Sequence, residues 1–176
     1  MNKKRYFDSQ LTILIAGGAG QGVQTVEKII THVLRHTGHT LFATKEYMSR
    51  IRGGSNSVQI RVSDERVACP TASIDIAIPL DAAAVSHIQH FLTDKTLIVA
   101  DRKGLSIDSD ILDISFLDFA KTIGGDIYSN IIVAGFIIGL FRIEFKTLEA
   151  YVRNFFADKR DEIIDKNICA AGKGWE

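Results

Sequence analysis

Apolar residues fill nearly every position of Leu11–Ala16, LTILIA. A strand covered on both faces reads this way, which points to an α/β layer fold. After GGAGQG the period changes. Val23, Val26, Ile30, Val33 and Leu34 recur at helical spacing, and Gly38 supplies a stop. His39–Thr44 is the predicted second strand, completing a strand–loop–helix–strand unit. Val58, Ile60 and Val62 then alternate with Gln59, Arg61 and Ser63, as in a strand with one wetter face. The SDER reversal, followed by Val67 and Ala68, predicts a short return strand. That hairpin would make the sheet mixed.

Ile74–Leu80 is a further predicted strand, with Pro79 suited to its exit. A short helix is expected over Ala82–Phe91 and a buried strand over Thr96–Ala100, ending at Asp101. Ser106–Ile114 reads as loop or edge strand and Ser115–Ile123 as a short helix. Asn130–Phe141 predicts a core helix whose Ala134 and paired glycines leave room for close packing. Thr147–Phe156 and Asp161–Ala170 read as amphipathic helices. No internal repeat or second domain stands out. The expectation is one domain over residues 1–176, a three-layer α/β/α Rossmann-like fold with a mixed sheet.

Composition narrows the partners. Hydrophobic residues are 46% and charged residues 24%, ordinary for a globular chain of 176 residues, and the formal net charge is zero. Nucleic acid is therefore not an expected partner. Ile131–Phe141 is the most apolar stretch, but it is too short for a membrane span. MNKKRYFDSQ lacks the apolar run of a signal peptide, so no membrane partner is expected and the cytoplasm is the expected compartment. Cys69 and Cys169 are too few for an iron–sulfur cluster within this chain.

Two loops carry the candidate chemistry. Gly17–Gly22 joins a buried strand to a helix, where free N–H groups and the helix dipole favour an anion. Gly18, Gly20 and Gly22 give G-x-G-x-G, short of the full dinucleotide spacing. No Lys-Ser or Lys-Thr follows, so the ATPase phosphate loop is absent. A turn that only packs strand against helix is the alternative. The second loop, YMSRIRGGSN, places Arg50 and Arg52 two apart, beside Gly53, Gly54 and Asn56. Guanidinium forks suit phosphates and carboxylates, and residues two apart in an extended chain point the same way. Lys45 adds charge nearby and Glu46 offers an internal partner. A solvated basic loop or salt-bridge network is the alternative.

Other polar residues read as structural. His32 and His36 are four apart on a helix, without the carboxylate of a His-Glu-X-X-His site. His87 and His90 invite the same surface reading. Cys69, Asp75 and Asp101 read as structural groups.

GGAGQGV at 17–23, YMSRIRGG at 47–54 and VQIRVS at 58–63 together resemble the gamma-type domain of the 2-oxoacid:ferredoxin (2-oxoacid:acceptor) oxidoreductases. IDIAIPLD at 74–81, Asn130 before a glycine-containing apolar helix, and Asn167 also fit. The resemblance covers nearly the whole chain. It is greatest to forms in which this domain precedes the alpha domain of the same subunit, although Met48 and Ser55 stand where the family often has proline and histidine.

The resemblance implies a role in oxidative decarboxylation of a 2-oxoacid such as pyruvate or 2-oxoglutarate. Thiamine diphosphate, magnesium and iron–sulfur clusters are then expected in alpha- and beta-type partner domains or subunits, with a ferredoxin-type electron acceptor. This domain would support assembly and coenzyme A binding through Gly18, Gly20, Gln21, Gly22, Arg50, Arg52, Gly53, Gly54 and Asn56. None of these is a proton-transfer catalyst, and the isolated chain is expected to be inactive. A stand-alone anion- or nucleotide-binding module is the alternative. An NAD-dependent dehydrogenase would need a complete dinucleotide loop and a hydride-transfer site, and neither is found.

Overall fold

The computed structural model describes residues 10–47, 54–105 and 110–176. They form two compact units. One contains the described residues of Ser9–Gln24 and His39–Ser115, the other those of Thr25–Gly38 and Phe116–Glu176.

The first unit is built on six strands: β1 (Gln10–Gly18), β2 (Thr40–Tyr47), β3 (Ser55–Ser63), β4 (Ile76–Pro79), β5 (Leu97–Ala100) and β6 (Leu112–Asp113). Their order is β2-β3-β1-β4-β5-β6. β3 runs antiparallel to both β1 and β2, while β1–β4, β4–β5 and β5–β6 pair in parallel. β1 is buried on both faces, Ile13 and Ile15 on one and Leu14 and Ala16 on the other. Each fully buried isoleucine contributes about 1.5–3 kcal/mol relative to exposure, which is why an uninterrupted apolar run makes β1 a central strand. Leu14, Ala16, Ile74 and Ala77 pack with Ala84 and Ile88 of helix α2 (Ala82–Ile88). Beyond β5, Ala100 packs with Leu105 of α3 (Arg102–Leu105) and with Ile111.

The helix α1 (Val23–His36) leaves the glycine loop and continues in the second unit. That unit adds α4 (Phe116–Ile123), α5 (Ser129–Leu140), α6 (Phe145–Phe155) and α7 (Asp161–Trp175). α5 is apolar on every side, and Ile131–Gly135, Ile137 and Ile138 are all buried. Backbones of α5 and α7 press together. A Cβ on Gly135 would sit 2.1 Å from the Ala171 carbonyl oxygen, and one on Gly174 would sit 1.9 Å from that of Ile132. These distances are far inside van der Waals contact, so only glycine fits. Gly139, the second glycine of α5, would likewise bring a Cβ to 2.8 Å from the Trp175 carbonyl oxygen, so the paired glycines of α5 allow the close packing expected of them.

An α/β fold with a mixed sheet is present, but the predicted hairpin is not. No strand follows Ser63 until Ile76. β3 pairs instead with the preceding β2 and with β1. Side chains divert the return segment: Gln59 Nε2 donates to the Thr71 carbonyl at 2.6 Å and Arg61 to that of Cys69 at 3.2 Å. Ser63 Oγ accepts from the Glu65 N–H at 3.1 Å, closing the reversal locally. Thr40 also binds the Ser63 and Glu65 carbonyls. The helix expected over Ala82–Phe91 ends at Ile88 and finishes as a 3-10 turn over Gln89–Phe91. α7 runs five residues past the expected end at Ala170, to Trp175.

Candidate functional site

Strand register gathers the roots of both loops at one edge of the sheet. Gly18 at the end of β1 pairs with Ser55 at the start of β3. Tyr47, the last residue of β2, pairs with Asn56. Ala16 pairs with Pro79 at the end of β4. Because β3 is antiparallel to β1, it enters where β1 exits. Gly54 immediately precedes β3, so it and Asn56 lie at the same edge as Gly18. Carboxyl ends of parallel strands, where an open sheet changes direction, are where α/β folds receive ligands. Arg50, Arg52 and Gly53 lie outside the described residues.

The glycine loop is shaped largely from within. Gly20 and Gly22 have φ of 97° and 76°, a region that side-chain-bearing residues avoid. The Gln21 N–H donates to the Gly18 carbonyl at 3.1 Å, closing a turn. Asp81, two residues past the end of β4, completes the arrangement. Its Oδ2 accepts from the Gly18 N–H at 2.6 Å and its Oδ1 from the Ala84 N–H at 2.7 Å. One carboxylate therefore caps α2 and fastens the end of β1. A Cβ on Gly18 would lie 3.0 Å from that Oδ2, a tight contact that the carboxylate would have to relieve by a small shift. At Gly20 a Cβ would meet no atom of the described residues within 4 Å.

The family model for pyruvate ferredoxin/flavodoxin oxidoreductase matches residues 12–176. The chain belongs to this family. Among relatives, the alpha subunit of a 2-oxoacid:ferredoxin oxidoreductase from Sulfolobus sp. is 31% identical over 93 residues, 53% of this chain and 14% of that one. The chain thus spans only a small part of the alpha subunits it matches. Indolepyruvate oxidoreductase subunit IorB of Archaeoglobus fulgidus is 22% identical over 192 residues, with 94% of each chain covered. A solved 2-oxoglutarate:ferredoxin oxidoreductase from Magnetococcus marinus, with 2-oxoglutarate, coenzyme A and succinyl-CoA bound, superposes with a TM-score of 0.84 at 23% identity. The match covers 96% of this chain and 31% of that one. Pyruvate oxidoreductase subunit PORC of Thermotoga maritima superposes at 0.73 with 21% identity, covering 96% of both. At such identities the structures establish the shared fold. The gamma-type resemblance carried by the two loops is borne out at the level of the family.

This member of the pyruvate ferredoxin/flavodoxin oxidoreductase family also carries a polar cluster beside the loop roots. Glu46 of β2 stands opposite Ser57 of β3, whose Oγ is 3.4 Å from Glu46 Oε2. His87 of α2 brings Nε2 to 3.7 Å from the same oxygen, with its side chain only 9% exposed. Neither His87 nor Asp81 was marked as chemistry by the sequence. For Asp81 a signal existed: an aspartate before three alanines is a helix N-cap pattern. His87 carried none, because its contact with Glu46 joins residues far apart in the chain.

Residues read as structural are engaged structurally. Asp75 Oδ2 accepts from the Thr12 N–H at 2.7 Å. His32 is exposed on α1 and stacks on Tyr151, ring centroids 4.0 Å apart. Asn167 is buried on α7 and donates to the Ile163 carbonyl at 2.8 Å. Among the described residues, no three His, Cys, Asp or Glu side chains gather as a metal site.

Proposed function

We propose that this chain is the gamma-type component of a thiamine-diphosphate-dependent 2-oxoacid:acceptor oxidoreductase of the cytoplasm. In this reading residues 1–176 act as one domain, and the sheet edge bearing the glycine and arginine loops holds coenzyme A. The family match over residues 12–176, which spans both loops, carries the reading. The positive-φ glycine turn, clear of other described atoms at Gly20, and the polar Ser55–Ser57 end of β3 suit a polar ligand. Gly20, Gln21, Gly22 and Asn56 would line it, with Arg50 and Arg52 meeting its phosphates as charge-assisted donors. Coenzyme A would supply the thiol that accepts the acyl group. Two cysteines fall short of the four thiolates of a typical cluster, so iron–sulfur chemistry and thiamine diphosphate with magnesium are assigned to alpha- and beta-type partners. Ferredoxin or a similar carrier would take the electrons through those partners.

The test is purification of the native complex with its cofactors identified, followed by Arg52→Ala in the assembled enzyme. Loss of one charge-assisted contact is expected to weaken coenzyme A binding roughly tenfold while assembly persists. Recovery of the chain without oxidoreductase partners would favour a stand-alone anion-binding module. Unchanged coenzyme A affinity with lost assembly would move Arg52 to a subunit interface.

A further inference from the structure

A glycine-rich turn between strand and helix is usually read as a phosphate cradle, because its N–H groups point outward and the following helix adds a positive end. Here a carboxylate already stands beside that turn. Asp81 takes the Gly18 N–H at 2.6 Å, and the Gln21 N–H is spent on the Gly18 carbonyl at 3.1 Å. Two donors of the loop are therefore unavailable to a ligand. Asp81 is only half-buried, and its carboxylate lies against the first residue of the G-x-G-x-G loop, so a phosphate bound there would stand close to its charge. Like charges at hydrogen-bonding range repel strongly wherever water is partly excluded. A Cβ on Gly18 would lie 3.0 Å from Oδ2, so the turn and the carboxylate are in close contact.

We infer that Asp81 is a specificity-determining residue that bars phosphate from the glycine loop and reserves it for an uncharged, hydrogen-bonding part of the ligand. The inference rests on the reading that this edge receives coenzyme A. The amide-bearing pantetheine arm has the required chemistry, and the phosphates are directed away from Asp81. Replacing the carboxylate by a neutral group removes the repulsion. Asparagine offers one accepting oxygen in place of two, so keeping the α2 cap releases the Gly18 N–H. The same change that discharges the site thus returns a donor to it.

The experiment is hydrogen exchange of the peptide spanning residues 16–24 in the assembled enzyme, with pantetheine or inorganic pyrophosphate as probe. Wild type is expected to be protected by pantetheine and not by pyrophosphate. Asp81→Asn is expected to gain pyrophosphate protection, slowing exchange roughly threefold or more. Asp81→Ser, which keeps a capping oxygen without charge, repeats the test if the asparagine variant folds poorly. Pyrophosphate protection already present in wild type overturns the inference, as does its absence from both neutral variants. If the neutral variants gain pyrophosphate protection while neither pantetheine nor coenzyme A protects wild type, exclusion by Asp81 stands and the coenzyme A reading fails.

Discussion

Glycines of the sheet unit and glycines of the helical unit answer to different constraints. At the end of β1, Gly20 takes φ of 97° and a Cβ there would meet nothing within 4 Å. Between α5 and α7, a Cβ on Gly135 would meet a backbone carbonyl at 2.1 Å. The loop glycine is required by its backbone conformation, the helical one by the approach of a second backbone. Substitution should therefore disturb local shape in one unit and the core in the other.

The largest effect is expected at Gly135→Ala. Alanine gains about 1 kcal/mol in helix propensity, but overpacking against a carbonyl that no rotamer change can move costs about 3 kcal/mol. A net loss of about 2 kcal/mol should appear in chemical denaturation. A stabilised variant would show that α5 and α7 separate at little cost. Gly20→Ala ranks next. Strain at positive φ costs about 1–2 kcal/mol, partly offset by the reduced freedom of the unfolded chain. Its stability loss should be smaller than that of Gly135→Ala, while exchange of loop amides rises. Equal losses at both sites would erase the distinction between the units.

Two titrations sharpen the helical side. Burial and then the nearby Glu27 carboxylate push the Tyr151 phenol above its ordinary value of 10.0. The folded state thus holds this proton more tightly than the unfolded chain does. Its contribution is present below the ordinary tyrosine range and lost as pH rises through the folded value. Tyrosinate absorbance should show a late-titrating component, which Tyr151→Phe removes. The smallest effect belongs to Glu162, held below the usual carboxylate range by its hydrogen bond to Lys166 at 2.6 Å. Its stabilisation is present above the ordinary glutamate range and lost as pH falls through the lowered value. Full exposure weakens it, so Glu162→Gln should leave neutral-pH denaturation nearly unchanged and slightly flatten the acid limb.

Local pattern made much of this legible. Burial of β1 on both faces follows from its apolar run, and the α5 glycines announce a close neighbour. Pairing did not follow, because the alternation of Val58, Ile60 and Val62 says which face is buried but not which strand lies alongside. The glycines at 172 and 174 resemble helix stops, yet α7 continues through them. Gly174 is needed where α7 meets Ile132, and its tertiary contact outweighs its low propensity. At the site, the loops could be found from composition, since glycine and arginine crowd there. The bond from Asp81 to Gly18 could not, because it links positions 63 residues apart and exists only through the parallel pairing of β1 with β4.

The central claim is that the end of β1 and the start of β3 form the ligand-facing edge of the molecule. Hydrogen exchange of the assembled enzyme, with and without coenzyme A, tests it most directly. Protection is predicted over residues 17–22 and 54–57 together, with α5 and α7 unchanged. Protection confined to the helices, or to neither loop root, would contradict it.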